Sequence, residues 1–277
     1  MDIIQDIIRL ALSEDSGLGD ITTESIVSEH FSGKGVIVAK QSFVLAGIKV
    51  AEKVFRLLDP ESESFSSFSD GDFVTNGDII FKVKADLLSL LKGERVALNF
   101  LQRLSGIATL TRQYVDTLEY PDVKLADTRK TTPGLRHLEK EAVRAGGACN
   151  HRMSLYDGVL IKDNHIAVAG SVTNAVNAVK NRASHLMKIE VEVTNLDEAA
   201  EAVEAGADVI MLDNMNCDEM KKAVALINGR AVVEASGNVS LGTLNEIAAT
   251  GVDVISCGAL THQAQAVDLS MRITGET

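Results

Sequence analysis

Six apolar runs alternate with helix-forming segments in the second half of the chain. They begin after residue 122 and read VKLAD, GVLIK, KIEVE, DVIMLD, RAVVEAS and VDVISCG. Short continuous apolar runs are typical of strands that are buried on both faces of a sheet. Because helical segments separate them, successive strands should run in the same direction, joined by right-handed crossovers. The pattern predicts an α/β fold with a parallel sheet closed or nearly closed into a barrel; with six strands rather than eight, either the barrel is incomplete or further strands lie in segments that read as helix.

The first half of the chain, up to about residue 105, follows a different pattern. Its opening MDIIQDIIRLALSED has the apolar spacing of an amphipathic helix and lacks the basic region of a signal peptide. The runs GVIVAK and DIIFKVKA predict strands, and a long helical run extends from Leu88 towards Tyr120. This half therefore predicts an α+β arrangement.

Composition limits the kind of partner that the chain can bind. The 277 residues are 45% hydrophobic, with a net charge of -12 and a pI near 5.0, which argues against a broad nucleic-acid or anionic-membrane surface. Any basic site must be local, and residues 127–165 hold seven Lys or Arg against five Asp or Glu.

Cysteine content and hydropathy bear on the cellular setting. The three cysteines lie far apart without a CxxC motif, which favours a reduced, cytoplasmic environment. Apolar runs stay well short of the roughly 20 residues that a membrane span requires.

The predicted strands end in polar and charged residues. In βα barrels the carboxyl ends of the strands meet at one edge, and that edge carries the active site. One charged residue after a strand usually marks only a solvated loop, but a whole series predicts a functional site. The residues at these ends are Asp127–Lys130, Lys162–His165, Glu192, Asp213, Glu234–Gly237 and Ser256–Gly258.

Four cations belong to this edge, namely Arg129, Lys130, Arg152 and Lys162. Guanidinium groups bind carboxylates and phosphates through paired hydrogen bonds, so the set suits a substrate with several anionic groups. The alternative is that the two arginines form structural ion pairs with nearby aspartates.

Two carboxylates, Glu192 and Asp213, close neighbouring strands of the prediction. They suit Mg²⁺ coordination or hydrogen bonds to sugar hydroxyls, and a diphosphate ligand would explain both signs of charge. The alternative is that they pair with Lys162 or Lys188.

The last two strands are followed by small residues that suit a terminal phosphate. Ser236, Gly237 and Gly258 stand where barrels often bind phosphate through backbone N–H groups, with His262 as a further donor. As alternatives, the glycines serve only as turns and His262 is a surface residue.

Seven motifs along the second half resemble those of the quinolinate phosphoribosyltransferase family. DTRKTTPGLR, NHR, LIKDNH, IEVEV, MLDNM, EASG and GALTH occur in this order, and DTRKTTPGLR with LIKDNH is the most specific combination. The resemblance extends to EDSGLGDITTE and GERVALNFLQRLSGIATLT in the first half. It implies an enzyme that converts quinolinate and phosphoribosyl pyrophosphate to nicotinate mononucleotide, diphosphate and carbon dioxide in NAD biosynthesis.

The resemblance also implies an architecture. It implies an N-terminal α/β sandwich domain over residues 1–105, an open, irregular α/β barrel of about seven strands over 106–265, and a tail of about 266–277 that returns to the first domain. A homodimer at least is implied, with Arg95 entering the neighbouring active site and assembly beyond the dimer left open. By itself, Arg95 has the pattern of an ordinary exposed helix residue.

Roles for individual residues follow from the same resemblance. It implies that Lys130, Lys162, Glu192 and Asp213 are catalytic and that Glu192 and Asp213 bind Mg²⁺. The quinolinate carboxylates would be bound by Arg95, Arg129, His151, Arg152 and Lys162. Phosphoribosyl pyrophosphate would be bound by Lys130, Glu192, Asp213, Ser236, Gly237, Gly258 and His262.

The chain departs from the family pattern at a few positions, none of which removes a charged site residue. Glu141 replaces a common Tyr, Ala148 and Ser154 each replace a Gly, and Asn238 follows Ser236-Gly237 where the family has SGG. Since Asn tolerates left-handed backbone angles, Asn238 can preserve a phosphate loop.

Three other functions remain open from the sequence. They are a molybdenum-operon paralogue with another acceptor, a Schiff-base aldolase using Lys162, and a binding protein without catalysis.

Overall fold

The protein is described by a computed structural model that covers residues 2–27 and 31–275. The chain forms two compact units. The first comprises the chain up to Arg112, with Thr132–Gly147 and the segment from Gln263 onward, and the second comprises Gln113–Thr131 and Ala148–His262. The domain boundaries near residues 105 and 265 stay a prediction.

Helices and strands alternate along most of the described chain. In chain order they are α1 (Ile3–Ser16), α2 (Ile21–Ile26), β1 (Ser32–Ala39), β2 (Phe43–Val44), α3 (Ile48–Leu58), β3 (Glu63–Phe65), β4 (Phe73–Val74), β5 (Ile79–Asp86), α4 (Leu87–Thr117), β6 (Lys124–Ala126), α5 (Arg136–Gly146), β7 (Val159–Ile161), α6 (Asp163–Ala169), α7 (Val172–Lys180), β8 (Ile189–Val193), α8 (Leu196–Glu204), β9 (Val209–Asp213), α9 (Cys217–Ile227), β10 (Val232–Ser236), α10 (Leu244–Ala248), β11 (Val254–Ser256), α11 (Ala259–His262) and β12 (Leu269–Gly275). None of these helices is long and apolar enough to span a bilayer.

The first unit is built on an antiparallel sheet with strand order β12-β1-β5-β3. The predicted strands GVIVAK and DIIFKVKA form β1 and β5, and β12, from the end of the chain, pairs with β1 along its length. The amphipathic opening segment is helix α1, whose N-terminus is capped by the Asp2 carboxylate. Helix α3 turns its apolar face inward, and Phe55 stacks on Phe81 of β5 with ring centroids 6.1 Å apart.

The second unit contains a parallel sheet of all six predicted strands, in the order β6-β11-β10-β9-β8-β7. The predicted α/β class with a barrel-like parallel sheet is therefore confirmed. Within the described residues no hydrogen-bonded ladder joins β6 to β7, so the sheet is open at this seam. A single parallel bridge between Ala126 and Cys149 extends the sheet on the β6 side.

Helices between these strands bury small apolar stripes. Helix α8 buries Ala199, Ala202 and Val203, and its first turn is capped by the Asn195 side chain, which accepts a hydrogen bond from the Glu198 N–H at 2.9 Å. A cap of this kind contributes about 1 kcal/mol to helix stability. Capping and burial together hold each helix beside the strand that it follows.

A close approach at Gly106 of α4 generates the first prediction. An added Cβ would overlap the backbone O of Gln265 and lie 2.9 Å from its carbonyl C, both in the first unit. Backbone cannot rotate away as a side chain can, so Gly106→Ala should lower the free energy of unfolding by about 1–3 kcal/mol despite its gain in helix propensity. Urea unfolding measures this, with Gln113→Ala, at an exposed position of the same helix, as the control. Equal stability of the two variants would contradict the packing described.

Candidate active site

A cleft of about 420 Å³ lies at the carboxyl edge of the six-stranded sheet. Strand ends, loops and the interior faces of strands contribute its walls. The lining residues are Thr128, Arg129, Lys130, His151, Arg152, Leu160, Lys162, Glu192, Met211, Asp213, Asn214, Ser236 and Ser256. The second unit thus brings together most of the residues that the sequence predicted.

Strand register explains why these side chains share one opening. Ser236 is in register with Asp213 on one side and with Ser256 on the other, and Ser256 is in register with Ala126. Parallel strands in register point equivalent side chains to the same face. The row therefore aligns the predicted acidic and phosphate-binding positions, and Asp127 follows at its end.

A larger depression of about 560 Å³ lies at the opposite edge, where the strands begin. Its two carboxylates stabilise the sheet, because Asp208 accepts a hydrogen bond from Ile189 N and Asp253 accepts one from Val233 N, each at 2.8 Å. Since the functional groups gather at the carboxyl edge, the smaller cleft is the better candidate site.

The two arginines of the cleft carry unused donors. The Nε atoms of Arg129 and Arg152 are buried and have no hydrogen-bond partner among the described residues. Burial, followed by the nearby charge of Arg129, lowers the pKa of the Arg152 guanidinium. Two partly desolvated cations with free N–H groups favour an anionic ligand.

Two aspartates stabilise the loop that carries Arg152. Asp127 accepts hydrogen bonds from His151 N at 2.8 Å and from Asn150 Nδ2 at 2.7 Å. Asp157 accepts from Met153 N at 2.6 Å and Ser154 N at 2.7 Å. Both carboxylates therefore fix backbone next to the cleft.

The Lys162 ammonium contacts the Glu192 carboxylate across neighbouring strand ends. The alternative in which Glu192 pairs with Lys162 is thus observed. The Lys162 side chain is 44% exposed, whereas that of Glu192 is only 12% exposed. A ligand that takes Lys162 must therefore leave the Glu192 carboxylate with another partner.

His151 has both ring nitrogens engaged within the unit. Nδ1 accepts a hydrogen bond from Arg152 N at 2.8 Å, so a neutral ring carries its proton on Nε2. Nε2 lies 3.1 Å from Glu190 Oε2 and 3.6 Å from Glu234 Oε1. In this arrangement the ring orients the Arg152 backbone, although His151 also lines the cleft.

His151, Glu190 and Glu234 form a compact buried group, with potential ligand atoms within 4.8 Å of one another. Burial, and next the charge of Glu190, raises the pKa of Glu234 to about 7, while His151 acts in the opposite direction. Because Nδ1 accepts from Arg152 N, the Nε2–H group faces both carboxylates, and the trio can share a proton. The sequence had not singled out Glu190, although a second Glu inside the apolar run IEVEV was a usable signal.

The residues predicted for the phosphate end lie in two small groups. Gly258 approaches Lys130 and His262 so closely that an added Cβ would be 2.8 Å from Lys130 Cδ and 3.2 Å from His262 Nε2. Ser236 and Gly237 adjoin Asn214, a cleft residue that the sequence prediction left out.

Arg95 belongs to the first unit and is exposed on α4. Its predicted entry into a neighbouring active site stays a prediction.

Comparison with known proteins gives the class of this fold and site. Models of the N-terminal and C-terminal domains of quinolinate phosphoribosyl transferase match residues 20–105 and 107–272. These matches define a two-domain phosphoribosyl transferase.

Individual relatives agree with that class. The chain is 46% identical to a probable nicotinate-nucleotide pyrophosphorylase [carboxylating] of Bacillus subtilis, over 94% of this chain and 90% of the relative. It is 42% identical to quinolinate phosphoribosyltransferase [decarboxylating] 1b of Nicotiana tabacum, over 99% and 83%. The crystal structure of NadC from Streptococcus pyogenes matches with a TM-score of 0.94 and 44% identity, over 99% and 97% of the two chains. The chain belongs to the quinolinate phosphoribosyltransferase family, and the resemblance in its motifs is confirmed.

The raised pKa of Glu234 makes stability depend on pH. Between about pH 4.5 and 7 the folded protein binds more protons at this carboxyl than the unfolded chain, so the free energy of unfolding should fall as pH rises, by at most on the order of 3 kcal/mol. Glu234→Gln should flatten that decline, as measured by urea unfolding at pH 5 and pH 8. Glu246→Gln, at an exposed position of α10, should keep the wild-type decline. A Glu234→Gln variant with the full decline would show that another group is responsible.

Proposed function

We propose that the protein is a decarboxylating quinolinate phosphoribosyltransferase of de novo NAD biosynthesis. It would transfer phosphoribose from phosphoribosyl pyrophosphate to the quinolinate nitrogen, giving nicotinate mononucleotide, diphosphate and carbon dioxide. The observation that supports this most directly is a pair of buried arginine Nε–H groups that have no partner in residues 2–27 and 31–275, in a cleft that also contains two carboxylates. Relatives named for this activity support the same assignment.

The cationic side of the cleft is the proposed quinolinate site. Arg129 and Arg152 would donate their free N–H groups to the two carboxylates of the ring. Lys162 would add a third contact once it exchanges its bond with Glu192. His151 would contribute by orienting Arg152, and directly to a carboxylate if its Nε2–H leaves Glu190.

The opposite side is the proposed phosphoribosyl pyrophosphate site. Lys130 would lie between the substrates and face the diphosphate, while Glu192 and Asp213 would bind the ribose hydroxyls. The 5-phosphate would be received by Ser236, Gly237, Gly258 and His262.

Mg²⁺ fits the same side by donor chemistry. Glu192 and Asp213 end neighbouring strands β8 and β9 and offer the carboxylate oxygens that this hard cation prefers. When bound, Mg²⁺ would neutralise part of the charge that accumulates on diphosphate.

The proposed mechanism depends on positioning and electrostatics. The cations hold the ring so that its nitrogen faces the anomeric carbon, and the acidic side chains favour positive charge on the ribose as the bond to diphosphate breaks. The nitrogen lone pair then forms the new C–N bond. The resulting pyridinium accepts the electron pair released when the adjacent carboxylate departs as carbon dioxide, and a proton takes the vacated ring position.

Assembly and location belong to this proposal as well. We infer a homodimer in which Arg95 of each chain completes the partner's quinolinate site, which would explain an exposed arginine on α4. The proposed location is the cytoplasm, consistent with the separated cysteines.

Turnover tests the function directly. The purified protein, mixed with quinolinate, phosphoribosyl pyrophosphate and Mg²⁺, should release carbon dioxide and form nicotinate mononucleotide in equal amounts. Absence of both products, with the protein folded, would reject the proposal.

Substitutions on the two sides of the cleft should separate the substrates. Arg152→Ala should lower kcat/KM for quinolinate about 100-fold, because it leaves a carboxylate without its charged partner. Asp213→Asn should instead mainly affect phosphoribosyl pyrophosphate and Mg²⁺ requirements, as should Glu192→Gln. Arg230→Ala removes an arginine that pairs with Glu204 away from the cleft and serves as the control. The measurement is steady-state kinetics with each substrate varied in turn. If Asp213→Asn weakened only quinolinate binding, the two sides of the cleft would have been assigned to the wrong substrates.

Complementation tests the shared site. Arg95→Ala and Arg152→Ala should each be nearly inactive alone, whereas random mixed dimers should regain about a quarter of wild-type activity, because each heterodimer then contains one complete site. The measurement is activity after co-refolding of the two variants in equal amounts. No recovery, with mixed dimers demonstrated, would place Arg95 outside the partner's site.

A further inference from the structure

Asn214 connects the acidic and phosphate-binding parts of the cleft. It directly follows β9 and adopts a left-handed backbone conformation, with φ of 55°. Its N–H donates to Ser236 O at 2.9 Å, so the turn after β9 is fixed to the end of β10. Asn214 also lines the cleft beside Asp213.

The orientation of the Asn214 amide follows from its partners. Nδ2 donates to Asp213 Oδ2 at 2.9 Å, and Oδ1 accepts from Asn238 Nδ2 at 3.1 Å. A carboxylate can only accept hydrogen bonds, so the amide must present its NH₂ group to Asp213. Oδ1 is then left for Asn238, whose own amide must donate. A directed chain of two hydrogen bonds therefore runs from Asn238 to the Asp213 carboxylate.

The same side chain packs against the backbone of the turn. A Cβ at Gly237 would overlap Asn214 Oδ1 and lie 2.7 Å from Asn214 Cγ, and Gly237 has a φ of 95°. The turn can thus approach Asn214 only because residue 237 is glycine. Asn238 follows with a φ of 52°, and its carbonyl accepts a hydrogen bond from Thr243 Oγ1 at 3.2 Å.

We propose that Asn214 is a positioning residue that sets the Asp213 carboxylate and the Ser236–Asn238 turn in one geometry for the phosphoribosyl substrate, with Asn238 as its support. This inference rests on the proposed function, because it assigns Asp213 and the turn to phosphoribosyl pyrophosphate. Asn214 acts through Asp213 and Gly237. The quinolinate side of the cleft lies outside this hydrogen-bond chain.

Asn214→Gly tests the side chain while keeping the backbone, because glycine adopts positive φ without strain. The matched control is Asn228→Gly at the end of α9, where Asn228 has a φ of 48°. Both substitutions change the conformational entropy of the unfolded chain in the same way. A difference between the KM values of the two variants therefore reports the role of the Asn214 amide.

Asn214→Gly should raise KM for phosphoribosyl pyrophosphate about tenfold, which corresponds to about 1.4 kcal/mol. KM for quinolinate should stay within about twofold of the wild type, since hydrogen bonds of this kind act locally. Asn238→Gly should give a smaller increase of about threefold, because it removes only the outer of the two bonds. Asn228→Gly should leave both constants unchanged.

The double variant Asn214→Gly with Asn238→Gly should have the same KM for phosphoribosyl pyrophosphate as Asn214→Gly alone. Asn238 reaches Asp213 only through the Asn214 amide, so its hydrogen bond has no effect once that amide is removed. The inference is overturned if Asn214→Gly matches Asn228→Gly in KM for phosphoribosyl pyrophosphate, or if both substrates are affected equally. An inactive wild-type protein would instead reject the proposed function, so the two failures are distinguishable.

Discussion

The site depends on one constraint, the parallel pairing of the six strands β6, β7, β8, β9, β10 and β11. Because all six strands point the same way, their carboxyl ends meet at a single edge, and the register aligns Asp213, Ser236 and Ser256 in one row. Residues far apart in the sequence thereby face one cleft. A shift of one residue in any strand would turn its functional side chain away from the opening.

Charge in this cleft is balanced over short distances. Arg129 and Arg152 each keep a buried Nε–H donor without a partner in the described part of the chain, while Glu190 and Glu234 lie close to the His151 ring. Acidic groups under a cationic surface limit the repulsion between the arginines while leaving their free N–H groups for a ligand. An acidic protein can in this way maintain a local anion site, which accounts for the charge segregation along the chain.

The sequence predicted the parts of the structure that depend on local pattern. Apolar runs identified all six parallel strands, and amphipathic spacing identified α1, because burial imposes those patterns directly. Pairings between distant side chains had no such signal. The contact of Lys162 with Glu192, the enclosure of the His151 ring and the role of Asn214 arise only when separate strand ends converge. The residue type of Asn238 predicts its left-handed backbone angles but not the hydrogen bond that its side chain donates to Asn214.

Strands β6 and β7 are the two edges of the six-stranded sheet, and the distance between them is not set by hydrogen bonds within the described residues. Arg129 follows the strand on one side of this gap and Lys162 follows the strand on the other, and within the described residues no ladder sets the spacing between β6 and β7. In a closed barrel, strand pairing would fix the distance between every pair of neighbouring strand ends. Here β7 has a ladder with β8 alone among the described residues, so loops rather than strand pairing set the spacing between Arg129 and Lys162.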